Sequence, residues 1–518
     1  MKNHISFARR CHERKRRVFF MFGLAMLSQR GESMTNDEIR KIVLNENLAV
    51  NETIMNRIFD KDSVFNLRHI VSRNGENRYF IAYFDGMVDN QIIDLNIIRP
   101  LTLCDGEVSP EAVAQRVITT DTFNITEDLS KACAAMIQGD TLIFIDGYKE
   151  VISASSKGYK TRGVDEPDSE KNLRGPREGF TESIIANTAL LRRCLLSPDL
   201  KMDMQSVTTL SDQKICLCYL DSLVDKNVLE RLKKRLSRIH LKTALSANYI
   251  EEYIRDSRYS PFKTVGMTEK PDIAAAKILE GRIIILVDGT PSVLSVPFLL
   301  LEYFQSGNDY YSNFWLGSAQ RLLRIVGVFL SVSVPAIYIS LICFHQEMLP
   351  VKLLISVASS REGVPLSAVL ELFVMLAAFE LLNEAGIMMP QGIGNALSTV
   401  GGVVIGQAAV DARFISAPLV IVVAFTGLTD LMVPKMKEAM LVTRLFLLTL
   451  SAMVGLYGYI IGVLFILAML ISMNSFGVPY TSFIATWKLE DMRDTGLRAP
   501  LWMLHKPSVR ENEGRTES

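Results

Sequence analysis

The sequence predicts an α/β (or α+β) soluble N-terminal region in two subdomains, followed by an α-helical multi-pass membrane domain. Two observations carry that prediction. From about Leu322 to Met473 the chain is apolar in long blocks. The clearest block, Leu322 to Phe344, holds one charge, Arg324, near its end. A bilayer core asks for roughly 20 apolar residues in a helix, because backbone amides in lipid must be paired within the segment. Ahead of these blocks, short apolar runs bounded by glycine alternate with amphipathic stretches, the pattern of strands and helices packed in layers. A chain that is 49% hydrophobic and yet 22% charged fits such a hybrid. The expected divisions are an N-terminal extension (1–33), subdomains at 34–160 and 161–316, a membrane domain of four or five helical segments (317–474) and a cytoplasmic tail (475–518).

Taken in order, Arg9 to Arg17 is basic and Val18 to Leu27 is apolar. A secretion signal, a membrane-surface helix and an extension from an upstream start all fit. The extension is preferred, because Met34 opens a polar helical pattern and a run of about ten residues is too short to span. Asp37 to Ile58 has helical spacing, with a second helix near Thr53 to Phe59. Phe65–Ile70, Arg78–Asp85, Asp140–Asp146, Ile215–Leu220 and Arg282–Asp288 read as strands. Asp225–Ile239 and Ile273–Glu280 read as helices, and the polar stretch Ser153 to Arg177 reads as a linker.

The residues offer no catalytic, metal or cofactor site. Seven cysteines and six histidines are scattered without CxxC or HExxH spacing, and no phosphate loop or nucleophile elbow occurs. Reduced, buried thiols in a cytosolic setting are expected. A net charge of zero gives no reason to expect nucleic acid.

Two loops invite sharper readings. Arg174, Gly175, Pro176, Arg177, Glu178, Gly179 and Phe180 precede an amphipathic helix, Ser183 to Leu196, that Thr181 could cap. Its arginines near a helix N-terminus would suit an anion. A rigid loop whose arginines pair with Glu170 or Glu178 explains them as well and is preferred. In Ser260 to Asp272, Asp272 is expected to cap the helix that follows.

Within the apolar region the expected runs are Leu322–Phe344, Val364–Leu382, Leu397–Val410, Ile415–Val433 and Leu445–Met473. Arg321 and Arg324, then Lys435, Lys437 and Arg444, then Lys488, Arg493 and Arg498 mark three cytosolic edges. Both ends inside require an even number of crossings, so one run is re-entrant. The candidate break is at Pro390, Gly392 and Gly394. Acids here are costly and face protein or water. Glu371, Glu380 and Glu384 are candidate pore acids, the last two on one helical face. Internal pairing with Arg361, Arg413 or a hydroxyl is the alternative. For Asp411 and Arg413, pairing is preferred.

Several boxes then form a series: DTLIFIDGYKEVI from Asp140, RGPREGFTE from Arg174 to Glu182, and Asn187 with Leu190 to Arg193. SPF at Ser260, TEKPD from Thr268 to Asp272, EGRIIILVDGTPSVLSVP from Glu280 to Pro297 and Asp309-Tyr-Tyr311 follow. The series resembles the A subunit of the GerA-type spore germinant receptors over about Met34 to Pro500. Lys263 and Lys270 depart from that pattern, where proline and arginine are usual. The resemblance implies a multi-pass protein of the spore inner membrane, its N-terminal region in the cytoplasm. It also implies a transporter-like B subunit, a lipoprotein C subunit and a homo-oligomeric ring that conducts ions.

Overall fold

A computed structural model describes residues 36–106, 108–158, 170, 175–208, 213–239, 241–388, 406–481 and 498–500. The helical spacing expected over Asp37 to Ile58 is interrupted. Helix α1 (Asn36–Ile39) ends early, and α2 (Leu48–Ile58) starts at an Asn47 cap. Buried Asn51 holds the turn between them. It donates to the Asn45 carbonyl at 2.6 Å and accepts from the Asn45 amide at 2.9 Å.

Five strands follow: β1 (Phe65–Val71), β2 (Arg78–Phe84), β3 (Phe123–Thr126), β4 (Asp140–Ile145) and β5 (Val151–Ser155). They form an antiparallel sheet in the order β1-β2-β4-β5-β3. Helix α3 (Leu129–Ile137) and α2 cover one face, and helical turns over 90–117 cover the other. The stretch expected as a linker from Ser153 thus begins as strand, because Val151–Ser155 is paired on both sides, with β3 and with β4.

The second half repeats this plan. Helix α4 (Ile184–Cys194) leads into β6 (Leu200–Ser206) and β7 (Lys214–Leu220). Helices α5 (Lys226–Leu236) and α6 (Ala247–Ile254) precede β8 (Gly266–Thr268). Helix α7 (Pro271–Leu279) precedes β9 (Ile283–Val287) and β10 (Val293–Val296). The sheet order is β6-β7-β9-β10-β8, the same permutation as in the first half. Both sheets are covered on both faces, which is why their strands read as continuous apolar runs.

The likeness extends to single bonds. Gly147 N–H donates to Glu46 O at 2.9 Å, and Gly289 N–H to Glu182 O at 2.8 Å. Asp146 accepts from the first amide of α2, and Asp288 from the first amide of α4. Asn187 repeats Asn51, donating to Thr181 O at 2.6 Å and accepting from Thr181 N at 2.8 Å. Asn187→Ala is therefore expected to cost about 1–3 kcal/mol, since it strands two backbone groups. An unchanged thermal midpoint would refute that role.

The halves meet through buried charge. Arg192 pairs with Asp62 at 2.6 Å and lies 3.8 Å over the Phe84 ring. Lys201 donates to Ile58 O at 2.9 Å.

Beyond β10 the short helix α8 (Gly307–Tyr311) leads to α9 (Phe314–Cys343), about two turns of helix earlier than the apolar run suggests. Helices α10 (Val351–Ser360), α11 (Ala368–Met388), α12 (Ala417–Asp430), α13 (Lys437–Val454) and α14 (Leu456–Ser472) follow. Among the described residues, α9 is the one helix long and apolar enough to cross a membrane by itself. The segments Ala417–Asp430 and Pro434–Val454 qualify only as a pair bent by 105°.

The last apolar run is a hairpin of two helices, not one segment. Gly455 turns it with φ +68°, a conformation L side chains rarely adopt. A Cβ on Gly458 would lie 2.2 Å from Leu450 O, so glycine there sets how closely α14 lies on α13. Helices α11 and α12 run parallel, since Glu371 meets Ser416 and Phe379 meets Gly427. The candidate break at Pro390, Gly392 and Gly394 lies outside the described residues.

The residues expected as a tail start packed. Strands β11 (Asn474–Ser475) and β12 (Val478–Pro479) form a hairpin that enters the second α/β half. Phe476 and Gly477 at its tip both have positive φ, the pairing that type I′ hairpins need. Phe476 is fully buried beside α5, 4.4 Å below the Arg235 guanidinium. Its amide donates to Asp256, and its carbonyl accepts from Arg231 at 2.9 Å. Farther on, Arg498 donates to Ser312 O at 2.7 Å beside the start of α9.

Candidate functional site

Two sites emerge, a junction between the α/β region and the bundle, and a set of acids inside the bundle. The junction forms where the boxes of the sequence converge. Gly175 has φ +103°, and a Cβ there would come within 2.7 Å of the Tyr311 ring. Tyr311 in turn donates to Asp272 at 2.6 Å. Lys270, fully buried, donates to Pro176 O at 2.8 Å, and Phe180 N–H donates to Glu269 O at 2.8 Å. Lysine at 270 therefore clamps the loop through one carbonyl. Glu178 pairs with Arg193 at 3.4 Å, Phe180 and Gly179 are buried, and Pro176 and Arg177 are exposed. Arg174 lies outside the described residues.

Both expected caps move. Ser183, not Thr181, caps α4, because the Thr181 backbone is already bonded to Asn187. Lys270 occupies the cap position of α7, and Asp272 sits in the first turn, where it accepts from Tyr311.

Between this loop and the bundle lie groups that sequence reasoning missed. Glu302, 7% exposed, pairs with Arg282 and with Lys277 at 3.2 Å. Arg282 also reaches Pro297 O at 2.7 Å, and Lys277 reaches Ser295 at 2.8 Å. Burial pushes the Glu302 carboxyl up, but Arg282 and Lys277 outweigh it and hold it below its ordinary value. Burial pulls the Lys277 ammonium down. Fully buried Asp309 faces Arg321 at 3.5 Å and takes two bonds from Arg324. Glu170 accepts from Thr268 at 2.6 Å and from Lys435. Burial raises the Glu170 carboxyl, and Lys435 reverses this to a net lowering. Arg321, Arg324 and Lys435, read as topology markers, are thus engaged by specific acids. The signal missed was the placement of Glu302 and Asp309 just ahead of a long apolar helix.

The bundle acids differ from one another. Glu371 is fully buried, accepts from the Ser416 hydroxyl at 2.6 Å and stands 3.8 Å from Arg361. Its alternative reading, internal pairing, describes it. Glu380 pairs with Lys437 at 2.9 Å, each about a third exposed. Glu384 is exposed one turn farther along α11. Asp430, missed as a site, takes bonds from Arg444 at 2.5 Å and from Ser331 inside the bundle. The expected Asp411–Arg413 pair is replaced. Asp411 accepts from Gln407 at 3.0 Å, while Arg413, in the left-handed region, packs at Gly363.

Comparison with known proteins settles the family. The family model described as Bacillus/Clostridium GerA spore germination protein matches residues 52–509. The chain belongs to the GerA spore germination protein family.

Relatives of this GerA-family chain in Bacillus subtilis (strain 168) span most of its length. The uncharacterized membrane protein YfkQ is 37% identical over 83% of this chain and 85% of its own. Spore germination protein KA is 36% identical over 89% and 86%. Spore germination protein A1 is 32% identical over 92% and 98%. The crystal structure of the N-terminal domain of the A subunit of the Bacillus megaterium spore germinant receptor GerK3 aligns over 50% of this chain and 98% of its own. That alignment has 28% identity and a TM-score of 0.41. Among the described residues of this GerA-family member, no group of three or more His, Cys, Asp or Glu could hold a metal.

Proposed function

We propose that the chain is the A subunit of a nutrient-responsive germinant receptor in the spore inner membrane. It triggers germination by conducting cations through an assembly of several copies. Its partners are a transporter-like B subunit and a lipoprotein C subunit, and its α/β region lies in the cytoplasm. The observation that carries the conducting role is Glu384, an exposed carboxylate on the apolar helix α11 with no ion pair among the described residues. Ring assembly would bring several such acids to one axis, where they attract cations. Side chains exposed along α14, among them Ile460, Ile461, Leu464 and Phe465, suit lipid contact.

A second reading, a non-conducting scaffold, draws on the internal pairing of Glu371 and Asp430. Cation flux through liposomes decides between them, measured with the chain alone and with B and C present. Glu384→Gln is expected to lower flux by roughly tenfold at low salt and less at high salt. Flux that survives this change and Glu380→Gln together would remove these acids from the pore, and no flux even with B and C present would leave the scaffold.

A further inference from the structure

The loop that joins α6 to β8 touches the end of the helix bundle. Phe262 is buried there in a core shared with Met436, Met440, Leu470 and Met473. Ser260 Oγ lies 3.5 Å from Met473 Sδ, and Lys263 pairs with Glu438 at 3.7 Å. The loop is therefore level with the ends of α13 and α14 that face the α/β region. Two residues before Ser260, the chain turns outward. Tyr259 is 99% exposed although the loop around it is anchored. Arg255 is held by Glu251, and Asp256 by Arg235 and the Phe476 amide. Arg258 is exposed and has no ion pair among the described residues.

An aromatic ring held fully in water gains nothing from burial, and this one sits where an apolar helix face ends. Ile471, 58% exposed, is the last outward apolar residue of α14 before Met473. A tyrosine at such a level has an apolar ring for the acyl boundary and a hydroxyl for the headgroups. An arginine beside it offers a planar fork that matches phosphate.

We propose that Arg258 and Tyr259 are a membrane-surface anchor of the second α/β half, with the Tyr259 ring among phospholipid headgroups and the Arg258 guanidinium on a lipid phosphate. The proposal rests on the reading of the bundle as membrane-spanning. It adds a contact outside the bundle that fixes the height of the α/β region above the bilayer.

The test uses the full chain in vesicles of phosphatidylcholine and phosphatidylglycerol that carry a nickel-chelating lipid. Nitroxide labels are placed singly by Tyr259→Cys, Val71→Cys and Ile461→Cys. The background has Cys11, Cys104, Cys194 and Cys343 replaced by serine. Headgroup nickel is expected to relax the label at 259 several-fold more than the label at 71, and Arg258→Ala to reduce that enhancement. The label at 461 should meet oxygen rather than water-soluble nickel. Equal relaxation at 259 and 71, with 461 in lipid, overturns the anchor and leaves the bundle reading standing. A label at 461 that meets aqueous nickel overturns both. A label at 259 shielded from water yet untouched by headgroup nickel would mean that a protein covers the loop, which also overturns the proposal.

Discussion

Glu302→Gln is expected to lower the stability of the chain by about 3–5 kcal/mol, because it leaves Arg282 and Lys277 buried around a neutral group. Removing one partner of a buried charge cluster costs far more than the cluster itself contributes, since the remaining charges keep their desolvation penalty. Arg282 retains Glu280 at 3.1 Å, but Lys277 pairs with no other carboxylate among the described residues and would depend on the Ser295 hydroxyl. Adding Lys277→Met to Glu302→Gln should therefore restore part of the loss. The dependence on pH has a definite sign. The Glu302 carboxyl titrates below its ordinary value in the folded chain, so its contribution is complete above that ordinary value. It is lost as pH falls through the lowered one. The gap in thermal midpoint between wild type and Glu302→Gln should thus be widest near neutrality and close in acid. A gap that widened in acid would mean that Glu302 is held neutral.

Phe476→Ala is expected to cost a further, independent amount of about 3–5 kcal/mol, the usual range for emptying a buried phenylalanine site. The ring fills the core of the second α/β half between α5 and the sheet. It does so on a backbone with φ +51°, an uncommon conformation for such a residue, which persists because the surroundings over-determine it. The tip is fixed on three sides, by Asp256, Arg231 and the guanidinium of Arg235. Limited proteolysis should find new cleavage in 474–481 of the variant while α13 and α14 stay protected. If the thermal midpoint and the cleavage pattern of the variant match those of wild type, the hairpin is not held by this residue.

Much of the α/β region was legible in the sequence, for a physical reason. Runs such as Asp140–Asp146 and Arg282–Asp288 are apolar on both faces and end in Asp-Gly, so both burial and turn are written locally. The repeat of sheet order was hidden, because it depends on bonds such as Asn51 to Asn45 and Asn187 to Thr181. Those amides look like ordinary polar residues on a helix until the backbone they serve is seen. The hairpin at Gly455 was hidden by the apolar residues on both sides of it, since hydropathy does not register φ. The pore candidates were sorted by pairing, which spacing cannot foresee. Glu371 and Glu384 lie on one helix, yet one reaches Ser416 from far along the chain and the other reaches none of the described charges. The pairings of Asp430 and Asp309 were not foreseen, because their partners stand 14 and 15 residues away, beyond the reach of any helical-neighbour rule.

The return of the chain through Phe476 has a mechanical consequence. Helix α9 leaves the second α/β half, and α14 comes back to it and is riveted there within a few residues. A bundle hung from one strand of polypeptide would swivel, and rotation of the α/β half would die out in the linker. Two separated fixings make a couple. Any tilt of that half pulls on one helix while it pushes on the other, so torque generated among the folded sheets arrives in the bundle as shear between neighbouring helices.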